Sequence, residues 1–337
     1  MQVHWAYFGC TKDDEEHLDR CWQARQDRLR PRLDALEAGA AALQWVASRQ
    51  EGSPQWHVQT ALHVPGATIV VEAGHDDAGE AMDAVIAQLL DRMDRLEERP
   101  EKVTVRREGL HGIVPLLERC CREGRSGVFF AWLAPLIGTL AAHVRRELRM
   151  RERDQRLAVG EIDPSDVLDD VLLQAYERFA SRPAQLPLDL WLLQLADDAL
   201  DRACESMAES SLDQPVEQPS EEPQESERDS WIEWASSTET IALGDLLPGV
   251  PGAEQWDSLD MERKHAETES MLSRLPRIQR QALVLNTVYG YAPAEIADFQ
   301  DRPESEVLFE LNDARRVLET YFREEYLPEI EEKLKAR

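Results

Sequence analysis

A chain of 337 residues with 42% hydrophobic content has apolar material for two or three globular domains. Its 38 Lys and Arg stand against 66 Asp and Glu, a formal net charge of −28. Nucleic-acid affinity rests largely on basic groups that displace counterions, so the average surface repels DNA and RNA. The charge is uneven: residues 205–270 hold 3 basic and 18 acidic side chains, whereas residues 101–160 hold 12 basic and 7 acidic. The five cysteines (Cys10, Cys21, Cys120, Cys121, Cys204) have no zinc spacing, and no set of His or carboxylates completes a metal site. An odd, scattered set suits a reducing compartment, so a cytoplasmic location is expected. The opening MQVHWAYFGCTKDDEE has no basic stretch followed by an apolar run, so it is not read as a signal peptide. No Gly-rich phosphate loop, nucleophile elbow or metal-binding helix motif occurs. The chain is therefore expected to have no catalytic residues, no cofactor, no metal and no small-molecule substrate.

In chain order, Val3, Trp5 and Tyr7 alternate as in a strand, and 11–36 reads as a helix. Strand-like runs follow at 41–48, 55–64 and 67–73, the last two joined by the turn signal Pro65-Gly66. A helix over 78–98 has the apolar stripe Ala81, Val85, Ile86, Leu89, Leu90, Met93 and Leu96. Strand, helix, three strands, helix predicts an α+β domain over 1–100, a small antiparallel sheet with helices on one face. Residues 101–127 read as a connector with one helical piece, 113–122, that holds the vicinal Cys120 and Cys121 as small helix residues. Residues 128–142 carry no charge, but fifteen residues with Pro135 inside are too short to span a bilayer, so a buried helix and no membrane are expected.

From 128 to 204 the pattern is helical. An apolar segment passes into Arg145, Arg146, Arg149, Arg151, Arg153 and Arg156, and two helical stretches follow, Asp163–Phe179 and Leu188–Arg202. Residues 205–270 are rich in Glu, Ser, Pro and Gln and read as an acidic, largely disordered linker, interrupted by Trp231, Trp234 and the group 241–247. Residues 271–337 read as a helix (276–289), a short helix (293–299), a turn and a long helix from Pro303, ending in a mixed-charge helical tail. The short helix, turn and long helix have helix-turn-helix proportions. Val307, Leu311, Ala314 and Leu318 give the long helix a core face. Asp301, Pro303 and Glu304 read as its capping-box-like start.

Three stretches resemble known families. Ala61–Asp77 followed by Ala81–Leu89, in this element order, resembles the ribosome hibernation-promoting factor or ribosome-associated inhibitor fold. That resemblance implies contact with small-subunit ribosomal RNA through basic residues on two helices. The positions here are Arg25, Arg28 and Arg32 on the first helix and Arg92, Arg95 and Arg99 on the second, each set at i, i+3, i+7 spacing. The alternative is a solvated face laced with ion pairs, such as Asp91 with Arg95.

The residues Asp166, Val167, Leu168, Asp170, Val171, Ala175, Tyr176, Trp191, Leu192 and Ala196 resemble the core domain of extracytoplasmic-function-type sigma factors. Leu275, Pro276, Gln279, Arg280, Glu295, Ile296, Ala297, Val307, Leu311, Ala314 and Arg315 resemble that family's promoter-reading C-terminal domain. The resemblance implies docking on the clamp helices of RNA polymerase core through Asp166, Val167, Asp169, Asp170, Leu173 and Gln174. The alternative is one packed amphipathic helix with a solvated acidic face. Both DNA-facing sites depart from the family. Asp197 and Asp198, with Asp201 on the next turn, stand where Arg-Asn is common, and Leu308, Phe309 and Glu310 follow Val307 where Lys-Ser-Arg is usual. Carboxylates facing a DNA strand are repelled, which argues against DNA as a partner. The helix-turn-helix surface, Glu306, Leu308, Phe309, Glu310 and Arg315, is left open to protein or DNA.

Three functional readings follow. One is a non-catalytic regulator whose first domain addresses the small ribosomal subunit and whose helical domains address RNA polymerase with weakened or lost promoter reading. The second is a working sigma factor with divergent promoter contacts. The third is an adaptor that reuses both folds for protein–protein contact.

Overall fold

The computed structural model describes residues 2–35, 42–49, 55–64, 67–98, 102–211, 246 and 261–326, in two units. The first holds Met1–Ile137, Gln174–Arg182 and Pro187–Asp189. The second holds Gly138–Leu173, Pro183–Leu186 and Leu190–Arg337.

The first unit is built on β1 (Gln2–Phe8), β2 (Ala42–Arg49), β3 (Trp56–Val64) and β4 (Ala67–His75), hydrogen-bonded in that order. β2 pairs antiparallel with β3, and β3 with β4, but β1 runs parallel to β2 with Trp5 opposite Trp45. The sheet is therefore mixed rather than antiparallel: the helical connection from β1 to β2 is long enough to return the chain in the same direction. That connection begins with α1 (Lys12–Gln23), where Thr11 Oγ1 accepts from the Asp14 amide at 3.3 Å and Asp14 accepts from the Thr11 amide at 2.9 Å, a reciprocal cap. The single helix predicted over 11–36 is broken into α1, a 3-10 turn (Gln26–Arg28) and α2 (Arg30–Ala35). Pro31 is the physical reason. A continuous helix would press its ring on the Asp27 carbonyl and lose its amide bond, whereas the first turn of a new helix tolerates it.

α3 (Ala78–Glu98) lays Ala81, Met82, Val85, Ile86, Leu89 and Met93 on one sheet face, against Leu43, Trp45, Val58, Leu62, Ile69 and Val71. Trp45 stacks on Trp5 at 5.4 Å between ring centroids and meets Trp22 of α1 at 5.1 Å. The other face is covered too, by α4 (Lys102–Arg122), a single helix within the first unit. Val70 and Gln59 alternate with core residues and so point to this face. The Gly112 carbonyl of α4 accepts from Gln59 at 3.0 Å, and a Cβ on Gly112 would lie 3.0 Å from Val70 Cγ1, a tight contact that marks how closely α4 approaches β4. The element order led to helices being expected on one face alone, but Ala6, Phe8, Val46 and Ala61 on the second face are buried as well. Phe8 lies beneath two guanidinium groups, those of Arg119 and Arg125, each 4.4 Å from its ring.

His63 is buried on this sheet, bonded to Thr68 Oγ1 at 3.1 Å and Gln44 Oε1 at 3.2 Å. Burial pushes its pKa down to about 3. The folded protein keeps His63 neutral, while the unfolded chain takes up a proton below about pH 6.5. Stability therefore falls as pH drops from about 6.5 towards 3, by up to about 1.4 kcal/mol per pH unit. Urea unfolding followed by tryptophan fluorescence from pH 7 to 5 (about one proton's range) should show this slope, and His63→Gln should remove it. Equal slopes in the two proteins would exclude His63 as the cause.

The second unit is helical. It draws on α5 (Ser126–Arg153), α6 (Pro164–Arg178), α7 (Leu188–Ser211), α8 (Met261–Leu272), α9 (Arg277–Thr287), α10 (Pro293–Gln300) and α11 (Glu304–Tyr321). α5 continues through Pro135, and among the described residues it is the one helix long and apolar enough to cross a membrane. Trp132, Leu133, Leu136, Leu140, Ala141 and Val144 of that helix are buried within the protein. α9, α10 and α11 pack on one another, with Val307, Leu311, Ala314 and Leu318 all buried at the expected period. Asp301 does not cap α11. It ends α10 in the left-handed conformation (φ 50°, ψ 50°), which a short polar side chain tolerates, and Pro303 occupies the N-cap of α11. α7 extends to Ser211 and α8 begins at Met261, so helix takes both ends of the segment read as linker. The Pro65-Gly66 turn, Arg99, Trp231, Trp234, most of 241–247 and the tail from 327 lie outside the described residues.

Candidate functional site

α7 carries Asp197 and Asp201 one turn apart, on the same helix face. Each bridges the same two neighbours, α5 and α9. Asp197 meets His143 Nε2 at 3.0 Å and accepts from Gln281 Nε2 at 2.6 Å. Asp201 accepts from Arg151 at 2.9 Å and from Arg277 at 2.7 Å. Burial pushes the Asp201 carboxyl up, but the hydrogen bonds from Arg277 and Arg151 outweigh it and hold the group below the usual carboxylate range. Arg151 also grips Glu147 at 3.0 Å, and both side chains are almost wholly buried. Arg280, buried in α9, reaches Asp154 at 3.0 Å. Arg146 donates to the Tyr289 hydroxyl at 2.7 Å, and Glu269 of α8 accepts from Arg149 at 2.6 Å. This polar seam replaces the expectation that Asp197 and Asp201 face a DNA strand: both are turned onto α5 and α9, whereas Asp198 is exposed. The sequence signals were present, as two carboxylates at i, i+4 and an arginine run ending α5, but nothing in them says that these groups meet.

The residues that carried the C-terminal resemblance prove to be scaffold. Gln279 donates to Asp313 at 3.2 Å, Arg280 is in the seam, Glu295 accepts from the Ala292 amide at 2.7 Å, and Arg315 donates to Asn286 at 2.7 Å. Arg315 is thus turned towards α9 rather than displayed with the helix-turn-helix surface. Glu306 and Glu310 are both engaged by Arg302, at 2.9 and 3.5 Å. Leu308 and Phe309 stand out, 44% and 69% exposed on α11.

On α6, Val167, Leu168, Val171 and Ala175 face inward, so Val167 is a packing residue. Asp166, Asp169 and Leu173, at i, i+3 and i+7, form one exposed face, and Leu173 is 52% exposed. Asp170 is partly withdrawn by an ion pair with Arg202 at 3.1 Å, and Gln174 accepts from Arg178 at 3.4 Å.

The arginines of the first unit are tied to its own carboxylates. Arg25 pairs with Asp83 at 2.9 Å, Arg28 with the same group, and Arg32 with Asp94. Asp83 and Asp94 are both on α3, so these three form a ladder between α3 and the segment from Arg25 to Arg32 instead of a free basic row. Arg25 lies in the break after α1, which removes it from a shared helix face with Arg32. Arg95 pairs with Asp91 at 2.8 Å, and Arg92 is exposed. Cys120 is buried, and burial pushes its thiol up to about 11, so it stays protonated and unreactive at neutral pH. Among the described residues no group of three or more His, Cys, Asp or Glu is placed to hold a metal ion.

No family model matches this chain, and no curated protein does. Among solved structures, the sigma factor RpoE in complex with the anti-sigma factor NepR, from Bartonella quintana, is similar at 14% identity and a TM-score of 0.35, over 58% of this chain and 98% of that one. A ribosomal subunit interface protein from Coxiella burnetii is similar at 13% identity and a TM-score of 0.20, over 28% of this chain and 99% of that one. A four-stranded α+β unit followed by helices thus has a sigma factor and a ribosomal interface protein as weak structural neighbours, with no family shown by sequence.

Proposed function

We propose that this chain is a non-catalytic regulator that docks on RNA polymerase core through α6 without reading promoter DNA, while its α+β unit addresses the small ribosomal subunit. The observation that carries the polymerase half is the exposed face of α6, where Leu173 is bracketed by Asp166 and Asp169. An apolar contact ringed by carboxylates complements a basic partner surface. Loss of promoter reading is supported by α11, which offers Leu308, Phe309 and paired glutamates where base edges and phosphates require donors. The exposed Phe309 favours a second reading, an adaptor whose α11 binds protein.

Asp166→Lys, Asp169→Lys and Leu173→Asp together should weaken binding to purified core polymerase by roughly a hundredfold, about 2–3 kcal/mol. Unchanged binding would reject α6 as the docking face, and promoter-specific transcripts from polymerase plus this protein would overturn the loss of promoter reading. For the ribosomal half, Arg92→Glu with Arg95→Glu should abolish co-sedimentation with small subunits, whereas retention would reject that surface.

A further inference from the structure

α5 carries a proline in its interior, Pro135, and still runs from Ser126 to Arg153. A helical amide bonds the carbonyl four residues before it, so the missing amide of Pro135 leaves the Ala131 carbonyl without its helical donor. The proline ring also crowds that carbonyl and turns it off the helix axis. α4 meets the same difficulty at Pro115, but on an outer face: Pro115 and His111, four residues before it, are both exposed, so solvent is at hand.

At Ala131 the donor comes from the sheet. Gln44 Nε2 of β2 donates to the Ala131 carbonyl across 87 residues of chain. Gln44 is 1% exposed, so bulk water does not replace a donor lost there. The rest of its amide is fixed too. Only the NH2 end can face a carbonyl, which turns Oε1 to His63 Nε2 at 3.2 Å. His63 Nε2 therefore carries the ring proton, and Nδ1 accepts from the Thr68 hydroxyl at 3.1 Å. Thr68, His63 and Gln44 stand on β4, β3 and β2, so three strands aim one amide at one carbonyl. A buried polar chain with every link made is rigid. The break also has a telling place. Pro135 belongs to the first unit, and the second begins at Gly138, three residues on.

We infer that α5 is jointed at Pro135 and that Gln44 is the catch that closes the joint. With the bond to Ala131 made, the helix runs through; without it, the turn 131–135 opens. One side chain of the sheet thereby decides whether the helix to which both units contribute is continuous. The device is independent of docking through α6.

The test is a double-mutant cycle in the full chain, with Gln44→Leu and Pro135→Ala, singly and together. Hydrogen exchange of amides 136–140 is the reading, and circular dichroism checks that the helices persist. Gln44→Leu alone should speed this exchange roughly tenfold or more, since a buried carbonyl loses its donor. With Pro135→Ala present the helix supplies its own donor to Ala131, and Gln44→Leu should then speed exchange about threefold at most. His63 loses its acceptor in both backgrounds, so that effect cancels in the comparison. Should Gln44→Leu fail to fold, Gln44→Asn, one methylene too short to reach Ala131, takes its place in the cycle. Equal acceleration in the two backgrounds would show that Gln44 does not serve the gap left by Pro135. No acceleration in either would show that α5 needs no catch.

Discussion

Arg151→Ala should destabilise the second unit by about 3–5 kcal/mol, the cost of stranding a buried charge. The Arg151 side chain is 2% exposed and that of Glu147 is 6% exposed, one turn apart on α5. Arg151 also holds Asp201, but that carboxylate is 41% exposed and keeps Arg277, so it loses less. Glu147 has no such reserve of solvent: without the guanidinium its carboxylate is buried unpaired. Removing both charges with Arg151→Met and Glu147→Leu should therefore cost much less than the single change. Urea titrations of the two variants, followed by far-UV circular dichroism, measure the difference. A single variant as stable as the double one would mean that Glu147 is not held by Arg151.

Trp45→Ala should cost the first unit about 3–5 kcal/mol, a large share of the stability of an ordinary domain. Trp45 is fully buried in the centre of β2, stacked on Trp5 of β1 and in contact with Trp22 of α1. Its removal opens a cavity in a close-packed cluster that also holds Leu43, Val58, Leu62 and Val85. Hydrogen exchange in the full chain is the suitable reading. Protection of the β2 and β3 amides should fall by roughly two to four orders of magnitude, the equivalent of that cost. A loss below tenfold would mean that the sheet does not depend on this cluster.

Much of the architecture was legible because the elements announce themselves through local periodicity. α3 begins and ends where its apolar stripe predicts, and all four core positions proposed for α11 are buried. β3 and β4 fall within a residue or two of their expected ends. The failures share a cause. Period and propensity describe one element at a time, so they missed that β1 returns parallel to β2, that α4 closes the second face of the sheet, and that Pro31 starts a new helix. The α6 surface was half legible: the pattern marked Asp166, Asp169 and Leu173, but their inward neighbour Val167 belongs to the core.

Charge was the least legible feature, and the one with most bearing on function. The sequence by itself determined that this chain is strongly acidic, that it has an α+β region followed by helices, and where the core face of its last long helix lies. It also determined that carboxylates stand at Asp197 and Asp201. Tertiary structure alone decided what those carboxylates do, because their partners Arg277 and Gln281 lie 76 and 84 residues away along the chain. A stripe of hydrophobic side chains at helical or strand spacing turns one face of its element inward, so its period betrays its destination. A carboxylate repels a phosphate in one setting and anchors an arginine in another, and only the fold says which group it meets.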